Sequence, residues 1–285
     1  MTRDNEKRSG AAVTPPVGAF PQQTESAAPV LKFAAPSEIV ELPSQGKFYP
    51  EGHALHGVTS VEIRHMTAKE EDILTNTSLI KKGVAIDRML ENIIVSPKVS
   101  VSEFLAGDKN ALTVAARITG FGADYKTKVR CPACGETANF QFDLNEHAVI
   151  DGTETPEGVE ATENGTFVFT GLPSCEHAVE VRLMTGRDEQ ALAKASDQKK
   201  KHNLPPTLVT DQLKMVIVAV GGSTQPQDIN FFVENMPLVT TKRLRSLYRQ
   251  VTPNIDLTQD YSCKNCEFEE RMEVPFSTEF FWPKQ

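Results

Sequence analysis

Two cysteine pairs constrain this chain more than any other feature: Cys131-Pro-Ala-Cys134 and Cys263-Lys-Asn-Cys266. The three-position spacing lets one tight turn aim both sulfurs at a single tetrahedral ion, so two such knuckles supply a complete set of four thiolates. They lie far apart, with 263 − 134 − 1 = 128 residues between them, and an ion held by both would clamp distant parts of the chain. Residues 125–130 and 138–143 alternate polar and apolar around the first knuckle, and 260–262 and 267–274 do so around the second. That pattern predicts a hairpin at each knuckle, the arrangement of a zinc ribbon. Gly135 suits a knuckle that needs positive φ, whereas Glu267 stands at the matching place of the second.

Disulfides and a redox dithiol are the competing readings. The charged opening Met1-Thr-Arg-Asp-Asn-Glu-Lys-Arg8 lacks the apolar core of a secretory signal, which argues against an oxidising compartment. A thioredoxin-like pair wants its first cysteine at a helix start, and strand-like residues follow both motifs here. The expectation is a structural Zn²⁺ held by Cys131, Cys134, Cys263 and Cys266. Four thiolates leave no open coordination position, so the ion would be a staple and not a catalyst.

The chain has 285 residues, 39% of them apolar, enough for a sizeable core and two domains. A net charge of −8 argues against a broad nucleic-acid-binding face. The longest apolar run, Met215-Val-Ile-Val-Ala-Val220, falls far short of the ~20 residues of a membrane span, so a soluble protein is expected. No internal repeat stands out beyond the paired knuckles.

Residues 1–36 are rich in Pro, Ala, Ser, Thr and Gln and read as a disordered or partner-ordered arm, with Val30-Leu-Lys-Phe33 its short apolar foothold. Order should begin near Ser37, with strands over 38–42 and 58–64. Thr67 with Glu70 forms a capping box that opens a helix. Ile86, Met89, Leu90 and Ile93 make one apolar helical stripe. Asp108 or Asn110 is expected to cap a helix over 111–118. Further along, Asn164-Gly165 marks a hairpin, 177–183 a strand, and 188–196 a helix leading into a loop headed by Lys199-Lys-Lys201. Residues 212–220 read as a buried helix or strand, and a helix over 241–250 follows. The fold class is therefore α+β: a strand-plus-helices unit over 37–121, then a zinc-ribbon unit over 122–285 carrying a mixed α/β insertion at about 147–257.

Three constellations invite sharper readings. Lys242, Arg243, Arg245 and Arg249 crowd one helix, but no aromatic residues interleave for base stacking, and a solvated face is expected. Cys175 and His177 lie two apart without an orienting third group, so no nucleophile–base pair is expected, and no enzyme activity. At the C-terminus Phe280, Phe281 and Trp282 either pack back on the ribbon or dock a neighbour, and with Phe33 they are the candidate partner-binding residues.

Several uncommon strings occur in one order: Glu41-Leu-Pro-Ser-Gln-Gly-Lys-Phe-Tyr-Pro50, Met66-Thr-Ala-Lys-Glu-Glu-Asp-Ile-Leu-Thr-Asn76, Leu79-Ile-Lys-Lys-Gly83 with Ala85-Ile-Asp87, Gly107-Asp-Lys-Asn110, Ala115-Ala-Arg-Ile118, the first knuckle, and Phe280-Phe-Trp-Pro283. From about 37 to 285 the chain resembles the T4-type bacteriophage baseplate hub family. That resemblance implies a tail protein of a contractile phage, made in the host cytoplasm and located in the virion baseplate. Its partners would be other hub and wedge subunits, with the tail tube or tape-measure end also within reach. A non-virion assembly chaperone of the hub and a zinc-ribbon nucleic-acid adaptor are the alternatives.

Overall fold

The computed structural model describes residues 34–274 and 280–281, and Ala35–Gln285 is one compact unit. It is a mixed α/β fold with small antiparallel sheets. β1 (Ser37–Glu41) and β2 (Ser60–Arg64) pair antiparallel, and β2 then runs into α1 (Ala68–Thr75). The expected capping box is present: the Thr67 amide donates to Glu70 Oε2 at 2.9 Å. Arg64 closes on the same carboxylate with two bonds of 2.9 and 2.7 Å, tying the strand end to the helix start. α2 (Thr77–Lys81) and α3 (Ala85–Ile93) follow. Met89, Leu90 and Ile93 are fully buried, as their spacing predicts. α3 passes without a loop into β3 (Ile94–Ser96), which pairs with the other side of β2. After a 3-10 turn at Val101–Glu103 comes α4 (Ala106–Phe121), then the hairpin of β4 (Asp124–Arg130) and β5 (Thr137–Asp143) around the first knuckle.

β6 (Ala148–Ile150) and β7 (Val159–Ala161) lead into a second round of the same elements. β8 (Thr166–Phe169) pairs with β9 (Val179–Arg182), which enters α5 (Gly186–Lys201). α6 (Leu208–Val216) passes directly into β10 (Ile217–Val220), and β10 pairs with the other side of β9. α7 (Pro226–Asn235) and α8 (Leu238–Val251) precede β11 (Asn254–Asp256), and the hairpin of β12 (Thr258–Ser262) and β13 (Glu269–Glu273) surrounds the second knuckle. β11 pairs back onto β6.

The expectation of no repeat beyond the knuckles is thus corrected: both halves run from two paired strands through helices to a third strand on the same sheet, and then through further helical segments to a hairpin. Seen this way the sequence agrees, since Val61-Glu-Ile-Arg-His-Met-Thr-Ala-Lys-Glu-Glu71 parallels Val179-Glu-Val-Arg-Leu-Met-Thr-Gly-Arg-Asp-Glu189. The second stretch repeats the first's device, a Thr185–Asp188 capping box with Arg182 bonded twice to Asp188 at 2.6 and 2.9 Å. Leu-Pro-Ser follows the first strand in both halves, at 42–44 and at 172–174. In each half the helix before the hairpin reaches back to that turn. Asp108 of α4 accepts from the Ser44 amide (2.9 Å) and hydroxyl (2.6 Å), while Thr240 of α8 donates to the Pro173 carbonyl (2.5 Å). The repeat is hidden in sequence because the two turns are followed by segments of very different length, up to Ser60 in one half and only up to Val179 in the other.

Other expectations shift in detail. α4 begins at Ala106, so Asp108 sits inside its first turn and is buried, not capping. It also accepts from the Tyr49 hydroxyl at 2.7 Å, which in turn accepts from the Leu105 amide at 2.9 Å. Burial, with Asp108 alongside, holds the Tyr49 hydroxyl protonated well above its ordinary range. Lys199-Lys-Lys201 form the last turn of α5, where cations complement the negative helix end. Residues 212–220 are helix first and strand second. The Asn164-Gly165 hairpin forms as expected, with Gly165 at φ +74° and too close to Phe48 for any Cβ. Lys109 joins the halves by pairing with Asp87 and Glu189, each at 2.8 Å.

Candidate metal centre

Each knuckle closes the end of a short hairpin by the same backbone pattern. The Cys131 amide bonds to the Glu136 carbonyl and the Gly135 amide to the Cys131 carbonyl, at 2.8 and 2.9 Å. In the second hairpin Cys263 bonds to Phe268 and Glu267 to Cys263, at 2.8 and 3.2 Å. Gly135 has φ +74° and Glu267 φ +55°, so the second knuckle takes the left-handed conformation even without glycine. That costs a side-chain-bearing residue about 1 kcal/mol. A demand imposed on both knuckles overrides the local preference.

The hairpins are brought together from 128 residues apart by packing behind the knuckles. Phe140 of β5 meets Phe142 at 4.7 Å and Tyr261 of β12 at 5.3 Å between ring centroids. Gln259 accepts from the Asp143 amide (3.1 Å) and donates to the Glu146 carbonyl (3.1 Å), stitching β12 to the end of β5. As a result all four sulfurs lie within 4.8 Å of one another. Cys131 Sγ is 3.7 Å from Cys266 Sγ, and Cys134 Sγ is 3.8 Å from Cys263 Sγ, so each contact crosses between knuckles. A tetrahedron with arms of ~2.3 Å has edges of ~3.8 Å, which matches both distances. They are far too long for a disulfide, whose sulfurs stand ~2 Å apart. Cys131 and Cys263 are buried; Cys134 and Cys266 face outward.

The electrostatics are those of sulfurs crowded together. Amides of Asn265 and Cys266 aimed at Cys263 pull its thiol down to about 6. The Glu136 amide, helped by Asn265, lowers Cys134. At Cys266 the Phe268 amide pulls downward, but partial desolvation among the sulfurs and the other three cysteines themselves outweigh it and push the thiol up to about 12. The cluster can therefore shed some protons readily and resists shedding the last. A divalent cation at the centre would offset the charge of such a set.

The other candidate residues fall elsewhere. Phe280 and Phe281 are buried in the chain's own core. Phe280 packs edge-on against Tyr125 at 5.2 Å, Phe281 reaches Phe121 at 6.4 Å, and Arg117 donates from Nε to the Phe280 carbonyl at 2.6 Å. Burying large rings beside the hairpin outweighs exposing them. Trp282 and Phe33 lie outside the described residues. Cys175 Sγ donates to the backbone carbonyl of His177 at 3.4 Å. Lys242, Arg243, Arg245 and Arg249 are all exposed on α8. The Asp108–Ser44–Tyr49 cluster went unforeseen, although its members lie in two of the strings that carried the resemblance. Those strings are joined in space by hydrogen bonds. Among the described residues no helix is long and apolar enough to cross a membrane.

Each of the two α/β halves ends in a hairpin, and the two hairpins bring four cysteines together. The chain belongs to the family described as T4 bacteriophage base plate protein, whose model matches residues 35–282. Searches of curated proteins and of solved structures gave no match.

Proposed function

We propose that this chain is a structural subunit of the central hub of a contractile-tail baseplate. In this reading a Zn²⁺ bound by Cys131, Cys134, Cys263 and Cys266 locks its two halves together, and the fixed surfaces dock other hub and wedge subunits. The family match over residues 35–282 carries the reading. The cross-knuckle sulfur distances of 3.7 and 3.8 Å support the metal, because a tetrahedral thiolate site has those edges. A rigid body repeated around a symmetric hub lets modest contacts add up.

Mass spectrometry of purified tails tests the role. Stoichiometric peptides of this chain are expected in tails. Peptides confined to the infected-cell lysate would make it an assembly chaperone, and absence from every tail-related fraction would remove the hub reading. Elemental analysis tests the metal: about one zinc per chain is expected, falling to none in Cys134→Ser.

A further inference from the structure

β1 is the edge of its sheet. At its ends the His65 amide bonds to the Pro36 carbonyl and the Leu42 amide to the Thr59 carbonyl, both at 2.8 Å. Antiparallel alternation then turns the backbone groups of Glu38 and Val40 toward β2, and those of Ser37, Ile39 and Glu41 outward. Among the described residues no strand pairs with that outer side. The Ile39 side chain beside it is 70% exposed.

In the C-terminal half the same edge is covered. β8 lies against β9 in the register of β1 against β2: Thr166 opposes Arg182 as Ser37 opposes Arg64, and Phe169 opposes Val179 as Val40 opposes Val61. β7 pairs with the far side of β8, where the Thr162 amide bonds to the Thr166 carbonyl and the Thr170 amide to the Gly158 carbonyl, both at 2.8 Å. β7 reaches that place through a loop ending in Gly165 at φ +74°. The residue at the same register position before β1 is Pro36. Its ring holds φ near about −65°, so this hairpin is closed to the residues that directly precede β1.

We infer that the outer edge of β1 takes residues 30–33 of a second copy of this chain as an added antiparallel strand. Laid in the register that β7 takes on β8, the added strand puts Val30 opposite Val40, Leu31 opposite Ile39, and Lys32 opposite Glu38. Opposed residues share a face of a sheet. Val30 then covers a groove of about 780 Å³ between β1 and α4, lined by Val40, Ala111, Val114 and Ala115. Leu31 shields Ile39, and Lys32 supplies the charge that Glu38 lacks. In this ladder Pro29 is asked only to accept, from the Glu41 amide, which suits a residue with no N–H. Only Ala34 and Ala35 separate Phe33 from Pro36, a reach of about 10 Å, so the donor must sit directly beside the acceptor. Each copy has one arm and one edge, which closes reciprocally as a dimer or runs head to tail around a ring.

Sedimentation velocity on the full chain across the micromolar range tests this independently of any role in tails. Self-association is expected. Ile39→Pro should weaken it at least about tenfold, because it removes an outward N–H and places a ring on the edge. The same change leaves the β1–β2 bonds intact, so the thermal unfolding midpoint of the monomer serves as the folding control. Lys32→Glu should weaken association, and Lys32→Glu with Glu38→Lys should restore it. A chain that stays monomeric throughout overturns the inference. So does association indifferent to Ile39→Pro, or a Lys32→Glu defect that Glu38→Lys leaves uncorrected.

Discussion

If Zn²⁺ occupies the four-cysteine site as proposed, stripping it from the folded chain should cost about 5 kcal/mol, and the figure follows from where the knuckles lie. In the unfolded chain the same four thiols can still reach one ion, but gathering them closes a loop of 263 − 131 = 132 positions. The entropy of closing a loop that long is about 5 kcal/mol at room temperature. In the folded chain the sulfurs are already within 4.8 Å of one another, so the ion binds the native state more tightly by roughly that amount. For a unit of this size the loss corresponds to a fall of about 10–20 °C in Tm. The assay is thermal unfolding of the metal-loaded chain before and after a strong chelator, with residual metal measured on the same samples. Hydrogen exchange locates the damage. The Cys131 and Cys263 amides, bonded to Glu136 and Phe268, should lose protection first. Buried positions far from the knuckles, such as Met89 and Leu90, should keep theirs. A verified metal-free chain melting within about 3 °C of the loaded one would refute the reasoning, since the hairpin packing alone would then hold the halves together.

Four further outcomes follow from single contacts. Gly107→Ala places a Cβ 1.8 Å from the Pro253 carbonyl, a rigid backbone atom, and should destabilise by about 3 kcal/mol or more in urea titrations. Gly120→Ala meets only the flexible end of Met66 and should cost under ~1 kcal/mol, so equal effects would discredit the close-packing argument. Asp108→Ala removes the acceptor of three buried bonds and should cost about 4 kcal/mol by the same assay, with Asp108→Asn recovering part. Glu70, bonded to Arg64, is held down at about 2 from an ordinary value of 4.5. A carboxyl with a depressed folded pKa stabilises fully above its unfolded value and loses that contribution as pH falls through the folded one. Wild type should therefore exceed Glu70→Gln by about 3 kcal/mol at neutral pH, the gap shrinking between about pH 5 and pH 2. A gap that does not change with pH would show that the ion pair is not its source.

Local chemistry was legible in the sequence wherever a short motif fixes its own geometry. The Thr67 capping box, the Met89–Leu90–Ile93 stripe, the hairpin at Gly165 and the two knuckles each depend on residues within a few positions of one another. The four ligand candidates were read from spacing alone, and the fold brings their sulfurs together. Periodicity could not divide 212–220 into helix and strand, because a continuous apolar run satisfies both patterns. Local preference misplaced Asp108, whose acceptors are filled by Ser44 and Tyr49, more than fifty residues away.

Tertiary structure alone decided how distant segments correspond. The two halves share Val-Glu-x-Arg-x-Met-Thr, yet their repeat was invisible until strand pairing aligned β1–β2–β3 with β8–β9–β10. Phe280 and Phe281 carry no local sign of facing inward; Tyr125, Phe121 and Arg117, from elsewhere in the chain, make the pocket that buries them. The sequence by itself determined which residues can turn, cap and ligate, because those are properties of neighbouring atoms. Which surfaces meet was left to the folded chain, because burial is a property of the whole core and no window of sequence contains it.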